Sequence, residues 1–411
     1  MTGKFYRYLL ALILISLCIM PALAQTSDDY WSPWITKTTT NSATINWRGE
    51  ANGTGSIDYA TSSYFDTNNS FQKTVVAADA ATYQHIRLTG LQPNTTYTYR
   101  VRPSGRDENF GNRTFRTMPE SGPFTFIVIS DPQKGPKYDE WKRFKYVADA
   151  IEKEPGILFV LVGGDYNRCD GDPLWTQFFQ VADGMLSKTA IFPAIGNHEY
   201  HQPVGEPNPP TPANHYHWAF DVPLSYSFDC SGVRFIVLDP FDLNKVNHDG
   251  PTTSLAHSMS LEPWLKEQLD NDTLLGAFTI HHIPIWDCHH VKPDQGLEPW
   301  EELYHAYNIS ANFAGHFHTY QRYSIKGIPY FVIANAGGEC ATITKESAPP
   351  GYIFGITKTL GYLKVIVDPA NNTATAQEWI VATLKDADSP DMPTVLKAPE
   401  MIDSITFPLK H

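Results

Sequence analysis

The chain has 411 residues and a formal net charge of −13 at pH 7, with 42% hydrophobic and 13% aromatic residues. This length exceeds what one hydrophobic core usually organises, so we expect two domains. The excess of acidic residues argues against non-specific binding to nucleic acid or to an anionic membrane surface, because both are negatively charged. An anionic substrate would therefore need local positive charge, which metal ions would supply.

Two basic residues and an apolar run open the chain. Lys4 and Arg7 flank the start of an apolar stretch that extends to Met20, and the small-residue pattern Ala22-Leu23-Ala24 follows. This arrangement is typical of a secretory signal peptide. We assign residues 1–24 to it and expect a secreted or extracytoplasmic protein with no membrane contact after cleavage; an uncleaved anchor is the alternative.

An all-β domain is predicted next, over residues 28–119. Short alternating runs such as Ser42-Ala43-Thr44-Ile45-Asn46-Trp47 are separated there by Gly, Asn and Ser turns. The pattern resembles a fibronectin type III-like sandwich, with Trp47 in the core and Tyr97 near the start of a strand. Because no catalytic constellation falls in it, we interpret it as a structural or interaction module.

From residue 122 to residue 382, apolar strands alternate with helices, which predicts an α/β layered domain. The predicted strands cover residues 124–130, 157–163, 190–195, 274–280 and 309–314, and the predicted helices cover residues 138–154 and 173–188. Residues 383–411 contain Pro390, Pro393 and Pro399. We expect this last segment to be an irregular tail.

Each of the five predicted strands runs into a motif rich in carboxylate, amide or imidazole groups. In open α/β sheets, sites form outside the carboxyl ends of strands, so these distant motifs can converge. Thirteen of the 15 histidines also fall between His198 and His318. Such a mixture of ligand types suits a two-metal hydrolase. The motifs are Asp131-Pro132-Gln133, Gly164-Asp165-Tyr166-Asn167, Gly196-Asn197-His198-Glu199, His281-His282-Ile283-Pro284 and Gly315-His316-Phe317-His318-Thr319-Tyr320-Gln321-Arg322.

In this order, after a β-sandwich and with His289-His290 shortly after His282, the motifs resemble the calcineurin-like metallophosphoesterases, and more narrowly the purple acid phosphatases. The resemblance implies a four-layer α/β metallophosphoesterase sandwich. It also implies a secreted binuclear phosphatase that hydrolyses small phosphate monoesters by attack of a metal-bound hydroxide. A phosphodiesterase or nucleotide hydrolase is the alternative, and a non-catalytic binding protein is a third reading.

The resemblance also implies roles for individual residues. Asp165 would bridge the two metal ions. Asp131 and His318 would bind the first ion, and the second would be bound by Asn197, His282 and His316.

Three further histidines take catalytic roles by the same resemblance. His198 would stabilise the transition state or protonate the leaving oxygen, and His289 and His290 would donate hydrogen bonds to the substrate oxygens. We interpret His281 as packing behind the metal site.

The sequence departs from the purple acid phosphatase pattern at two positions. Arg168 stands where that family has a metal-binding tyrosine, and Tyr166, offset by two residues, is expected to point elsewhere. Gln133 replaces a glycine, and it could coordinate through its amide oxygen or hold a metal-bound water. Loss of a hard anionic ligand favours two divalent ions, of Mn, Zn, Fe or Mg, over a ferric first site.

Arg168 itself has two interpretations: it could offer its charge to the substrate phosphate, or pair with Asp170 or Asp172, which is the reading we favour.

Four cysteines follow the predicted signal peptide: Cys169, Cys230, Cys288 and Cys340. An even number in an exported chain allows two disulfides. We expect Cys169 to pair with Cys288, with buried free thiols as the equal alternative.

Overall fold

The computed structural model describes residues 30–104, 110–133, 141–201, 213–247, 250–271, 273–288, 296–343, 348–385 and 393–409. The predicted signal peptide and the pair His289-His290 lie outside these residues. No helix in the described part of the chain is long and apolar enough to cross a bilayer.

The N-terminal part is a sandwich of two antiparallel sheets, as predicted. Its elements are β1 (Trp31–Thr36), β2 (Ser42–Gly53), β3 (Ser56–Thr61), α1 (Ser62–Asn68), β4 (Lys73–Val76), β5 (Ala81–Thr89), β6 (Thr96–Arg102) and β7 (Arg113–Arg116). One sheet has the order β1-β2-β5 and the other β4-β3-β6-β7. Trp47 is buried between them. Tyr97 lies at the second position of β6, where its hydroxyl accepts a 2.8 Å hydrogen bond from the Gln92 amide.

The second part is built on two large mixed sheets. The first is formed by β8 (Phe124–Ile129), β9 (Ile157–Val162), β10 (Ala190–Pro193), β20 (Thr359–Asp368), β21 (Thr373–Thr383) and β22 (Thr394–Pro408). The second is formed by β11 (Tyr226–Cys230), β12 (Val233–Val237), β15 (Gly276–His281), β16 (Ala311–Ala314), β17 (Tyr320–Ile325), β18 (Ile328–Ile333) and β19 (Tyr352–Ile356). A hairpin of β13 (Asp242–Asn247) and β14 (Gly250–Thr252) stands apart from both.

The strand order of each sheet explains the motif positions. The first sheet runs β10-β9-β8-β20-β21-β22, and β8, β9 and β10 are parallel neighbours. The second runs β11-β12-β15-β16-β18-β17-β19, and β12, β15, β16 and β18 are parallel. The strands that carry the predicted ligands therefore belong to the parallel part of each sheet.

The two sheets pack face to face through aromatic side chains, which makes this a four-layer sandwich. The ring of Phe126 in the first sheet lies 5.1 Å from that of Phe235 and 5.6 Å from that of Phe278 in the second. Helices cover the outer faces. They are α2 (Lys142–Lys153), α3 (Asp172–Val181), α4 (Asp183–Leu186), α5 (Asn214–Phe220), α6 (Leu255–Leu269) and α7 (Glu298–Ala306), with a 3₁₀ turn at His198–Tyr200.

The N-terminal sandwich is docked on α3. Trp31 and Trp34 of β1 place their rings 4.6 and 4.2 Å from that of Phe179. The Trp31 indole N–H donates to the Thr176 hydroxyl at 2.8 Å. Arg48 pairs with Asp172 at the start of α3, also at 2.8 Å. Because this interface is buried, aromatic and hydrogen-bonded, it fixes the sandwich against the helix that follows Asp165 in the chain.

Three expectations from sequence need correction. Residues 394–408 are not irregular: they form β22, the edge strand paired with β21. The helix predicted over residues 173–188 is broken at Ala182 into α3 and α4. All four cysteines are free thiols, so Cys169 does not pair with Cys288. The domain limits 28–119 and 122–382 stay predictions.

Candidate metal centre

The loops after β8, β9, β10, β15 and β16 place the predicted ligands at one end of the two sheets. Three of these residues leave their strands with left-handed backbone: Asp131 has φ 58°, Asp165 has φ 56° and His316 has φ 71°. Non-glycine residues rarely adopt this conformation, and it is concentrated at functional sites. The backbone thus turns sharply at the points where ligand side chains are needed.

Four ligand atoms, one of them Nε2 of His282, lie close together. This Nε2 atom lies 3.1 Å from Asn197 Oδ1, 3.3 Å from His316 Nδ1 and 3.2 Å from Asp165 Oδ2. Ligand atoms about 2.1 Å from one ion lie about 3.0 Å apart at octahedral angles and about 3.4 Å apart at tetrahedral angles. The spacing of this group is therefore that of a metal coordination sphere.

A second group is centred on His318. Its Nε2 atom lies 3.1 Å from Asp131 Oδ1 and 3.1 Å from Gln133 Nε2. The same Gln133 atom is 3.5 Å from Asp165 Oδ2. Asp165 thus belongs to both groups, each of which brings three ionisable ligand atoms within 4.8 Å of one another. One oxygen, Oδ2, faces both groups, while Oδ1 accepts a 3.0 Å hydrogen bond from the His198 backbone N–H.

Backbone carbonyls orient the two imidazoles that use Nε2. His282 donates from Nδ1 to the Gly163 carbonyl at 2.8 Å, and His318 donates from Nδ1 to the Glu339 carbonyl. Both rings therefore turn Nε2 toward the site. Such outer partners fix the tautomer that a metal ion requires.

The electrostatics of the site also suit cations. Burial opposes the charged form of Asp165, but the imidazoles of His282 and His198 outweigh this and hold the pKa of Asp165 well below its usual value. Burial, together with the charge on His282, lowers the pKa of His316 to about 3, so its ring is neutral. For His282 burial also opposes the charge, yet Asp165 raises its pKa to about 9. A cation would displace that proton.

At this site, two buried acceptor atoms have no hydrogen-bond donor among the described residues: Asp131 Oδ1 and Gln133 Oε1. Buried acceptors without a partner are costly, and a metal ion would satisfy Asp131 Oδ1. Gln133 Oε1 would reach the same ion after rotation of its amide, because Nε2 is the atom that faces His318. Together with the ligand spacing and the neutral His316 ring, the two acceptors show that these residues fit a pair of metal ions.

His198 lies beside the two groups rather than in them. Its Nδ1 atom donates to the Arg168 carbonyl at 2.9 Å, and its Nε2 atom lies 3.9 Å from Asp165 Oδ2. His281 is buried one residue before His282, with Nδ1 donating to the Ile283 carbonyl at 2.6 Å and Nε2 accepting from Asn312 at 2.9 Å. It packs behind the site, as we interpreted it.

The structure shows the surroundings of Tyr166 and Arg168, which lie near and at the position of the family's metal-binding tyrosine. Tyr166 points away from the site. Its ring is buried 5.5 Å from that of Trp175, and its hydroxyl has no hydrogen-bond partner among the described residues. The favoured pairing of Arg168 is wrong. Asp170 pairs instead with His215 at 3.1 Å, and Asp172 pairs with Arg48 and His215.

The Arg168 side chain is exposed, and no ion pair joins it to any described residue.

Sequence reasoning gave Glu199 no role, although it was part of a motif. Its carboxylate is 1% exposed and accepts hydrogen bonds from backbone N–H groups of both ligand loops that precede it. The sequence signal for this role was a glutamate one residue after the proposed catalytic His198, in a loop whose other residues are small or neutral.

Comparisons with known proteins agree with this geometry. Residues 124–320 match the calcineurin-like phosphoesterase family, and residues 19–117 match the purple acid phosphatase N-terminal domain. Purple acid phosphatase 15 of Arabidopsis thaliana is 23% identical over 65% of this chain and 56% of its own length. Probable purple acid phosphatase 20 of the same plant is 24% identical over 70% of this chain and 68% of its own length.

Two solved structures share the fold. Purple acid phosphatase PPD1 from yellow lupin (Lupinus luteus) has a TM-score of 0.67 at 15% identity, over 92% of this chain and 74% of its own. A structure of PhoD has a TM-score of 0.68 at 14% identity, over 92% of this chain and 90% of its own.

The fold and the family match identify residues 124–320 as a calcineurin-like phosphoesterase domain. The match of its N-terminal domain and the names of its relatives make the chain similar to the purple acid phosphatases, with Arg168 at the position of their metal-binding tyrosine. The chain spans between 53% and 68% of the length of the first curated relatives that it matches.

Proposed function

We propose that this protein is a secreted, binuclear metal-dependent phosphatase that hydrolyses small phosphate monoesters. The observation that carries the proposal is that the Asp165 carboxylate belongs to both groups of ligand atoms. A shared carboxylate lets two cations sit about 3.5–4 Å apart, the separation of two-metal hydrolases. Export is supported by the basic and apolar pattern of residues 1–24.

In this proposal Asp131, His318 and Asp165 hold the first ion, and Asp165, Asn197, His282 and His316 hold the second. Gln133 completes the first set by its amide oxygen or by a water. Two bound divalent cations would activate the attacking water and polarise the phosphoryl group. We favour Mn, Zn, Fe or Mg at both positions, because Tyr166 points away and Arg168 is no metal ligand. One relative is named an Fe(3+)-Zn(2+) purple acid phosphatase.

We assign His198 to the leaving group. Because its Nδ1 proton is committed to the Arg168 carbonyl, Nε2 faces the site and can carry the second proton. A protonated Nε2 can donate to the developing negative charge on the leaving oxygen or to an equatorial phosphoryl oxygen. We assign His289 and His290 as donors to the substrate oxygens, as the family resemblance implies.

Arg168 supplies a further contact with the substrate in this proposal. Its carbonyl already touches His198, its guanidinium is exposed, and the two nearby aspartates have other partners. A guanidinium suits a phosphate dianion, which it can contact with two parallel hydrogen bonds. A charge-assisted hydrogen bond contributes about 1.5–3 kcal/mol, so we expect Arg168→Ala to lower kcat/KM for an aryl monoester by about 10- to 150-fold.

Arg87→Ala is the matched control, because Arg87 is an exposed arginine of the N-terminal sandwich. Equal kcat/KM in Arg168→Ala and in the control would refute the contact.

The activity is tested with an aryl phosphate monoester and the corresponding bis-aryl diester. We expect turnover of the monoester, loss of activity on chelation and recovery on addition of a divalent ion. Asp165→Asn should be inactive, whereas Asp58→Asn should be active, because Asp58 is a buried aspartate of the N-terminal sandwich paired with Arg100.

Full activity of the chelated protein or of Asp165→Asn would refute the proposal. A preference for the diester would support the phosphodiesterase alternative.

A further inference from the structure

Two of the ligand loops touch each other through their backbones. A Cβ atom added to Gly196 would lie 2.1 Å from Asp165 Oδ1, and one added to Gly164 would lie 2.6 Å from the Gly196 nitrogen. Both contacts are far shorter than real Cβ atoms allow, so glycine is required at each position. The loop after β9, which carries Asp165, is therefore packed directly against the loop after β10, which carries Asn197.

The Glu199 carboxylate joins these two loops. Its Oε2 atom accepts hydrogen bonds from the Asp165 N–H at 2.9 Å and the Gly196 N–H at 2.8 Å. Its Oε1 atom accepts from the Tyr166 N–H at 2.9 Å and, more weakly, from the Asn167 N–H at 3.4 Å. All four partners are backbone donors, so only a group with two acceptor oxygens satisfies them.

A direct role as a metal ligand does not fit these contacts. Both carboxylate oxygens of Glu199 are already occupied by N–H groups, and Glu199 is absent from both groups of potential ligand atoms among the described residues. The side chain is also 1% exposed, which leaves no surface for a substrate. Its effect on the site must therefore pass through the backbone that it holds.

We propose that Glu199 is a positioning residue that sets the distance between the bridging ligand Asp165 and the loop of Asn197, and so determines the affinity of the site for metal ions. This inference rests on the metal centre proposed above. Groups that orient metal ligands from behind typically change metal affinity by about 10- to 100-fold when they are altered.

Two substitutions test the inference. Glu199→Gln keeps the size of the side chain but places an NH₂ group against backbone donors. Glu199→Asp keeps the carboxyl group but shortens the side chain, so it cannot reach the amides of both loops. Glu378→Gln is the matched control, because Glu378 is also a fully buried glutamate of the same domain and its side chain accepts from Asn335 rather than from a ligand loop.

The measurement is the competition of each folded protein with a chromophoric chelator for Zn²⁺, which gives the metal dissociation constants without reference to activity. We expect Glu199→Gln to bind at least one ion about 10- to 100-fold more weakly than the wild type, and Glu378→Gln to bind like the wild type. We also expect the Zn²⁺ concentration for half-maximal phosphatase activity to rise by a similar factor, with kcat largely restored at saturating metal. Because metal binding also stabilises the folded state, urea unfolding of each metal-free protein is needed to show that the variants are folded before the titration.

Wild-type dissociation constants in Glu199→Gln would overturn the inference. If that variant does not fold, the same criterion applies to Glu199→Asp. A wild-type protein that binds fewer than two ions would instead overturn the metal centre itself, so the two failures are distinguishable.

Discussion

The C-terminal strand β22 of the first sheet is hydrogen-bonded to the end of the motif that contains His316 and His318, which lies in the second sheet. This contact gives a quantitative prediction. Asp403 on β22 accepts hydrogen bonds from Arg322 Nε at 2.7 Å and Nη2 at 2.9 Å, and from the Tyr320 hydroxyl at 2.8 Å. The Arg322 and Asp403 side chains are 11% and 9% exposed. Removing one partner of a buried ion pair costs about 3–5 kcal/mol, because the other charge is left buried without compensation.

We therefore expect Asp403→Asn to lower the free energy of unfolding by about 3 kcal/mol, the lower end of that range, since about a tenth of each side chain reaches water. Urea unfolding followed by tryptophan fluorescence measures it. The double variant Arg322→Met/Asp403→Leu should lose less than Asp403→Asn alone, because it removes both charges.

An exposed pair provides the control for this experiment. Lys145 and Asp149 on α2 are 54% and 38% exposed and lie one helical turn apart. Asp149→Asn should cost only about 0.3–0.5 kcal/mol. If Asp403→Asn costs as little as Asp149→Asn, the inferred link between the C-terminal strand and the ligand motif is wrong.

Three further predictions follow from individual side chains. His198→Gln should lower kcat by about 10²- to 10⁴-fold at unchanged metal content. The control His305→Gln alters a histidine that is hydrogen-bonded to Glu301 and should leave kcat unchanged. Equal kcat values in the two variants would exclude His198 from the mechanism. Tyr166→Phe should retain both metal content and kcat, because the Tyr166 hydroxyl points away from the ligands and has no partner in the part of the chain that the structure describes. Loss of metal would show that the tyrosine reaches an ion. Burial opposes the charge of His215, but Asp170 and Asp172 raise its pKa to about 9, above the ordinary 6.5, so the stabilisation by this charge is complete below pH 6.5 and is lost as the pH rises through 9. The difference in unfolding free energy between the wild type and His215→Gln, at most about 3 kcal/mol, should therefore shrink between pH 6 and pH 10. A constant difference would refute the charge assignment.

Much of the fold, and the convergence of the candidate ligands, could be predicted because strands and their ends leave a strong signal. An apolar run that stops at Asp131, Asp165 or His282 marks both a buried strand and the polar residue at its carboxyl end. The structure adds that these strands belong to two facing sheets, which no local pattern reveals. The face-to-face packing of the two sheets depends on contacts between phenylalanines that are far apart in the chain, such as Phe126 and Phe235.

Other features could not be predicted, for physical reasons that differ. β22 is an edge strand with one mostly solvated side, so it lacks an apolar run and contains Pro399, a residue that only an edge tolerates. Asp403 of this strand pairs with Arg322, which lies 81 positions away in the sequence. Glu199 acts on backbone N–H groups, and backbone donors have no sequence signature. Arg168 was expected to pair with its nearest acids, but His215 and Arg48, which are distant in sequence, occupy them.

The count of metal ions per chain tests the central claim most directly. Wild-type protein equilibrated with Zn²⁺ or Mn²⁺ and freed of excess metal should contain two equivalents by elemental analysis, because Asp165 belongs to two groups of ligand atoms. Asp165→Asn should hold clearly less than two, while Asp58→Asn should still hold two. One equivalent or none in the wild type, or two equivalents in Asp165→Asn, would contradict the account.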